Sequence, residues 1–438
     1  MTSTALLTDR YELTMLDAAL ADGTAFRRSV FEVFGRRLSG GRRYGVVAGT
    51  GRLLDAIERF RFGDAELAWL ADEHVVSPST VQWLAGYRFG GTISGYREGE
   101  LYFPASPLLT VEGTFAEAVV IETLILSILN ADSAIATAAA RMVSAARGRP
   151  VVEMGSRRAQ ERAAVSASRS AWIAGFAATS NLEAGRRWGV PTMGTAAHAF
   201  TLLHDDEEAA FRSQVAAMGR GTTLLVDTYD IENAVRTAVR VAGPELGAVR
   251  IDSGDLPVVV GEVRRLLDSL GALHTRIVVT NDLDEHAIAT LGGMPVDSFG
   301  VGTALVTGSG HPAAGLVYKL VAREGADGTM RPVAKRSASK GGTGGRKWAV
   351  RALDEHGIAT EERVIVADEA PEVSGGRPLV VPLVTDGEVD QAFLGIPGTL
   401  AAREHHAAAM RELPLEGTRL SGGDPVLPTV FEQGASVR

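Results

Sequence analysis

Six short apolar runs, rich in β-branched residues, recur through the middle of the chain with longer helix-like segments between them. They cover 150–154, 191–194, 223–227, 248–252, 276–280 and 298–301, and the segments between them cover 160–188, 205–218, 231–241, 257–270 and 284–291. A strand that is apolar almost throughout has both faces buried, and helices between such strands supply the cover, so the pattern predicts a parallel sheet with crossover helices. Six units in series favour a closed or distorted (β/α) barrel over an open sheet. Polar residues gather where the runs end: Glu153 and Arg157, Thr195 and His198, Asp227, Arg250 and Asp252, Asn281 and Asp282, and Thr303. A single polar residue after a strand is commonly a helix cap, and Asp284 is read that way. Six in series point instead to the C-terminal rim of a barrel, where enzymes of this architecture carry their active sites.

At 438 residues the chain is longer than one barrel of roughly 200–250 residues, so a second domain is expected. Both ends are richer in alternating runs and glycine, as at 29–34, 95–103, 363–367 and 378–385. They are read as one smaller α/β domain flanking the barrel, contributed by 1–130 and 324–438, with the barrel at 131–323. The last residues, 427–438, are expected to fray, and His405 and His406 are read as solvated on an exposed helix. The absence of cysteine excludes disulfides, thiolate metal sites and cysteine nucleophiles. A net charge of −9 argues against nucleic acid or an anionic membrane as partner. No signal-peptide pattern opens the chain, and Glu117 and Glu122 interrupt its longest apolar stretch, so a cytoplasmic location is expected.

The strand-end residues have a common chemistry. A planar guanidinium fork, as on Arg157 and Arg158, suits bidentate recognition of phosphate or carboxylate, although either could serve an interdomain salt bridge. Asp252 and Asp255 bracket Ser253-Gly254; they could accept hydrogen bonds from a ribose diol, help hold Mg²⁺ through a diphosphate, or form an Asx turn. Gly300-Val301-Gly302-Thr303 can present backbone N–H groups to a phosphate. His198 is open to a structural or a nucleophilic role. The segment 335–347 packs Lys335, Arg336, Lys340, Arg346 and Lys347 among glycines, as a solvated surface loop or one that closes on a polyphosphate. A Schiff-base aldolase on the same barrel would need a strand-end lysine, and none of the six ends has one.

Together with Thr8-Asp9-Arg10-Tyr11-Glu12-Leu13-Thr14-Met15 near the start and Val317-Tyr318-Lys319-Leu320 later, these segments resemble the nicotinate phosphoribosyltransferase family over most of the chain. The resemblance implies a type II phosphoribosyltransferase fold, an irregular α/β barrel with a flanking α/β domain. It also implies a homodimer with a shared active site. The implied reaction joins nicotinate to 5-phosphoribosyl 1-pyrophosphate (PRPP), with ATP as co-substrate and Mg²⁺ on the diphosphate, in NAD salvage. By motif, His198 would be the phosphorylated histidine. Arg250, Thr195, Ser180, Met154 and Tyr11 would surround nicotinate, with Tyr11 reaching it from the other subunit. Arg157 and Asp252 would contact the phosphoribosyl group, Gly302 and Thr303 its 5′-phosphate, and Lys335, Lys340 and Lys347 the diphosphate or ATP. Many relatives carry phenylalanine where Met154 stands. Relatives that take nicotinamide carry aspartate where Ser180 stands, so the resemblance favours the acid, with nicotinamide phosphoribosyltransferase as the alternative.

Overall fold

The computed structural model describes residues 3–335, 342–373 and 375–433. The chain forms two compact units, one from the first 137 residues with those from His311 onward, the other Ala138–Gly310. The breaks therefore fall at Thr137/Ala138 and Gly310/His311, against the expected 130/131 and 323/324. The strand Leu316–Glu324 belongs to the flanking unit, where it pairs antiparallel with Arg28–Gly35. That unit, expected to be the smaller, holds more of the chain.

The unit Ala138–Gly310 contains a six-stranded parallel sheet. Its spatial order is Ala178–Thr179, Val151–Glu153, Ser298–Val301, Arg276–Val279, Ala248–Ile251 and Thr223–Leu225. Five of the strands lie within the expected runs. The segment 191–194 contributes only a single parallel bridge, from Thr192 to Thr179, so the barrel is irregular. The segment 160–188 is not one helix. It divides into Glu161–Ile173, the two-residue strand Ala178–Thr179 and Leu182–Trp188, because Gly175 takes φ +107°, which turns the chain out of the helix.

The crossover helices form for local reasons. In Ile231–Ala242 the buried Ala234, Val235, Ala238, Val239 and Ala242 recur at three- and four-residue spacing and make one apolar face. Asp230 caps the helix by accepting the Asn233 N–H, and the chain leaves it at Gly243, φ +81°. Asp284 is a cap, as expected, accepting the N–H groups of His286 and Ala287.

The flanking unit has a seven-stranded sheet, a four-stranded sheet and a two-stranded one. Its core is continuous and aromatic, with Phe31 stacked on Tyr318 at 4.8 Å and Phe60, Phe62 and Tyr87 meeting edge to face. The helical stretch Phe115–Ala146 is long and apolar enough to cross a membrane by composition, and 61% of its apolar window is buried within the protein. Two expectations fail in this unit. Residues 427–433 do not fray as a whole, since Thr429–Gln433 pairs in parallel with Ala359–Val366. His405 and His406 are not solvated: His405 Nε2 lies 2.8 Å from Glu100 Oε2, and His406, 4% exposed, bonds the Gly99 carbonyl through Nδ1 at 3.0 Å. Helix Gly395–Glu412 buries the face that carries His406, together with Gly398, Thr399, Ala402 and Ala409.

Candidate active site

In the barrel unit a cavity of about 500 Å³ opens at the C-terminal ends of the parallel strands. It is lined by Met154, Arg157, Ser180, Thr195, His198, Arg250, Asp252, Gly302 and Thr303, so nine residues singled out from the sequence share one space.

Arg250 stands on strand Ala248–Ile251 and donates from Nη1 to Thr195 Oγ1 at 2.9 Å. Burial pulls its pKa down, and Arg157 adds to that, while Asp252 and Asp227 oppose it. Its Nε is buried without a hydrogen-bond partner. A buried donor left unmatched is costly, and such groups are commonly met by a ligand or an ordered water.

Asp252 begins the turn that follows the same strand. Gly254 in that turn has φ +90°, which glycine adopts without strain. Asp252 Oδ1 accepts from Thr280 Oγ1 at 2.8 Å. The turn itself is held by Asp227, whose Oδ2 accepts from Asp252 N at 2.9 Å and from Ser253 Oγ at 2.7 Å. The carboxylate is thus fixed in orientation yet partly open to the cavity. The expected pairing with Asp255 does not occur at the cavity, because Asp255 stands exposed at the start of helix Leu256–Ser269.

His198 is the first residue of helix His198–Leu203. Its Nδ1 is 3.2 Å from Thr228 Oγ1, and its Nε2 is 3.8 Å from Asp252 Oδ2 and 4.0 Å from Asp227 Oδ1. The last two separations are too long for hydrogen bonds. Asp227 Oδ1, with a side chain 1% exposed, has no hydrogen-bond partner. Thr228 was not singled out from the sequence, and Asp227 was named only as a polar strand end, without a role. The signal for Asp227 was present, since it ends a strand as Asp252 does; Thr228 carried none.

Gly300 keeps one wall clear. A Cβ there would lie 2.7 Å from Thr280 Cγ2 and 2.8 Å from Met154 Sδ.

The remaining expected residues lie in the flanking unit. Tyr11, on helix Arg10–Asp22, is 45% exposed, and its hydroxyl is pushed up to about 12 by burial and by Glu122 and other nearby carboxylates. Lys335 and Lys347 line a separate cavity of about 1020 Å³ with Arg36 and Lys319. Lys335 is exposed. Lys347 is buried, with Nζ 2.9 Å from Glu32 Oε2 and 3.1 Å from the Gly345 carbonyl. Burial pushes the Glu32 carboxyl up against the pull of Lys347. Lys340 lies outside the described residues.

Residues 6–130 match the model of the nicotinate phosphoribosyltransferase N-terminal domain. The chain is 57% identical over 433 residues to nicotinate phosphoribosyltransferase pncB1 of Mycobacterium tuberculosis, covering 97% of this chain and 94% of that one. It is 39% identical over 365 residues to the nicotinate phosphoribosyltransferase of Bacillus subtilis, covering 81% and 74%. Among solved structures it is similar to human nicotinic acid phosphoribosyltransferase, at 26% identity, with a TM-score of 0.81 and 97% of each chain covered.

Proposed function

From the premise that the chain belongs to the nicotinate phosphoribosyltransferase family, we propose that it joins nicotinate to PRPP, giving nicotinate mononucleotide and pyrophosphate, with ATP hydrolysis to ADP and phosphate coupled to the synthesis. The observation that carries this reading is the sharing of one cavity by Arg250, Thr195 and Ser180 with Asp252, Arg157, Gly302 and Thr303, with His198 on the same wall system.

The pyridine nitrogen is a weak nucleophile. Its lone pair forms the bond to the ribose carbon as the carbon–oxygen bond to pyrophosphate breaks, and positive charge develops on the sugar. Asp252, immobilised by Thr280 and the Asp227-held turn, supplies a preorganised negative charge for that state. Arg250, with an unmatched buried Nε, and Ser180, an uncharged hydroxyl, suit the nicotinate carboxylate. Met154 lies against the same space in place of an aromatic ring. Arg157 suits the phosphoribosyl group and Gly302-Thr303 its 5′-phosphate.

Among the described residues, no group of three or more His, Asp or Glu is placed to hold a metal ion by itself. Mg²⁺ would thus be carried on the diphosphate, as this ion commonly is, and would neutralise charge on the leaving group. Lys335 and Lys340 are the proposed cations for the diphosphate or for ATP. Lys347 would first have to give up Glu32. Tyr11, exposed in the flanking unit, is proposed to serve the cavity of a second copy in a homodimer.

For the coupling, an imidazole nitrogen of His198 attacks the γ-phosphorus of ATP and ADP departs; water later cleaves the phosphorus–nitrogen bond and releases phosphate. The experiment is incubation with PRPP, Mg²⁺ and either nicotinate or nicotinamide, with and without ATP, with products separated chromatographically. Nicotinate mononucleotide should form, faster with ATP. His198→Ala should abolish the ATP stimulation and leave a slow basal reaction. Preferential use of nicotinamide, or ATP coupling that survives His198→Ala, would count against the reading.

A further inference from the structure

Glu153 ends the strand Val151–Glu153, and none of the steps above uses it, although it is only 1% exposed. Its Oε1 accepts the Gly155 N–H, and its Oε2 accepts the hydroxyls of Ser168, at 2.9 Å, and Thr179. Its backbone carbonyl accepts the Ser180 N–H at 2.9 Å. A second set of bonds runs alongside. Asn181 N–H donates to Thr179 Oγ1 at 2.9 Å, and the Asn181 side-chain amide donates to Ser156 Oγ at 3.0 Å. The other end of that amide accepts the Ala184 N–H at 2.9 Å, which fixes its orientation.

These bonds clasp residues 153–156 to residues 179–181. The first segment leads into Arg157 and the second contains Ser180, and both of those residues line the cavity. The clasp adds side-chain bonds to the backbone pairing of Val152 and Glu153 with Ala178 and Thr179. The strand Ala178–Thr179 has two residues and so few ladder bonds, and the chain on the other side turns at Gly155. A buried carboxylate accepting several donors holds them more firmly than a neutral acceptor would. It also resists displacement, since moving it strands a charge away from water.

We propose that Glu153 is a positioning residue that sets the distance between Ser180, which selects the base, and Arg157, which seats the phosphoribosyl group. The inference rests on the reading of Ser180 and Arg157 given above. One buried carboxylate then governs both base preference and PRPP affinity without touching either substrate.

The test uses the full-length protein with Thr179→Val, Thr179→Ser and Glu153→Gln, and with Ser180→Asp as a control on the underlying reading. Steady-state constants are measured for nicotinate, nicotinamide and PRPP, alongside melting temperature. Thr179→Val keeps the side-chain shape and removes the hydroxyl donor. It should raise the nicotinate KM and erode the preference for nicotinate about five- to tenfold, the scale of one hydrogen bond, with kcat held within roughly twofold. Thr179→Ser, which keeps the hydroxyl, should restore both. Glu153→Gln should raise the KM of nicotinate and PRPP together, each by about tenfold, because both segments are loosened. A carboxylate with a merely structural role would lower the melting temperature and leave KM values and base preference of the folded enzyme unchanged, which overturns the proposal. If Ser180→Asp does not move the preference, the reading of Ser180 fails and the proposal with it. If Ser180→Asp moves it while Thr179→Val and Glu153→Gln do not, the proposal alone fails. Should Glu153→Gln not fold, the Thr179 pair decides the question.

Discussion

In the barrel unit, Asp252 and His198 keep 31% and 41% of their side chains exposed at a cavity, and Arg250 and Asp227 each leave a buried polar atom unmatched. In the flanking unit, Glu100, Arg351 and Glu362 are 1%, 0% and 0% exposed, and their charges are paired with one another and with their neighbours, although Arg351 Nε is unmatched. Arg351 Nη2 reaches Glu362 Oε2 at 2.9 Å, and Tyr96 and Ser106 donate to the other oxygen of Glu362. Arg377 bridges Glu100 at 2.8 Å and Glu412 at 2.7 Å, and His405 joins on Glu100. The residue types are the same in both places. What separates the two settings is whether the charges border a cavity or are enclosed and paired with opposite charge inside the chain. Charges in the first setting should control kinetics, and charges in the second should control stability.

The sharpest way to break that contrast is Glu362→Ala. It leaves Arg351 buried beside a vacated partner, for which a loss of about 3–5 kcal/mol of stability is expected. Urea denaturation should show the shift, while kcat and KM of the folded fraction stay close to wild type. The pairing of Glu100 with Arg351 at 3.8 Å sets the lower end of the range. Asp252→Ala is the converse. It should lower kcat by about 10²–10³-fold with the unfolding midpoint little changed, because the side chain is partly open and Asp227 remains as a countercharge to Arg250. A large drop in stability for Asp252→Ala, or in turnover for folded Glu362→Ala, would erase the distinction.

The same contrast explains what could be read from the sequence. Thr223–Leu225, Ala248–Ile251, Arg276–Val279 and Ser298–Val301 fall inside the expected runs because a continuous apolar stretch followed by a polar residue is a local signal. His198, Arg250 and Asp252 could be placed at the cavity for the same reason, since Arg250 and Asp252 stand at the end of such a run and His198 shortly follows one. The strand Ala178–Thr179 was hidden, being two residues long within an alanine-rich stretch whose composition reads as helix; Gly175 is the one mark of the break. Lys347 and His406 could not be read at all. Their partners, Glu32 and the Gly99 carbonyl, are 315 and 307 positions away, and a basic residue near glycines looks solvated until the fold supplies a buried acceptor.

The smallest expected effect sharpens the comparison within the flanking unit alone, where two buried groups are shifted in directions that oppose each other. Burial lowers His406 to about 4, with the Gly99 bond and Glu100 resisting. Its folded pKa lies below the unfolded value, so the unfolded chain binds the extra proton. Its contribution is complete above about pH 6.5 and is lost as pH falls toward 4, by roughly 2 kcal/mol at pH 5. Glu12, fully buried with Oε2 unmatched, is pushed up to about 7 by burial and by Glu122 and Asp9, against its bonds from Thr123. Here the folded state holds the proton, so stability falls as pH rises from about 4.5 to 7. Between pH 7 and 5 the two terms oppose, and together they should contribute little net change to the wild type. His406→Asn keeps an amide donor for the Gly99 carbonyl and does not titrate, so its stability relative to wild type should improve on acidification. Glu12→Gln should do the reverse. Urea midpoints of the three proteins at pH 7 and 5 decide it, and equal pH slopes for wild type and His406→Asn would show that His406 does not carry a buried, uncharged load.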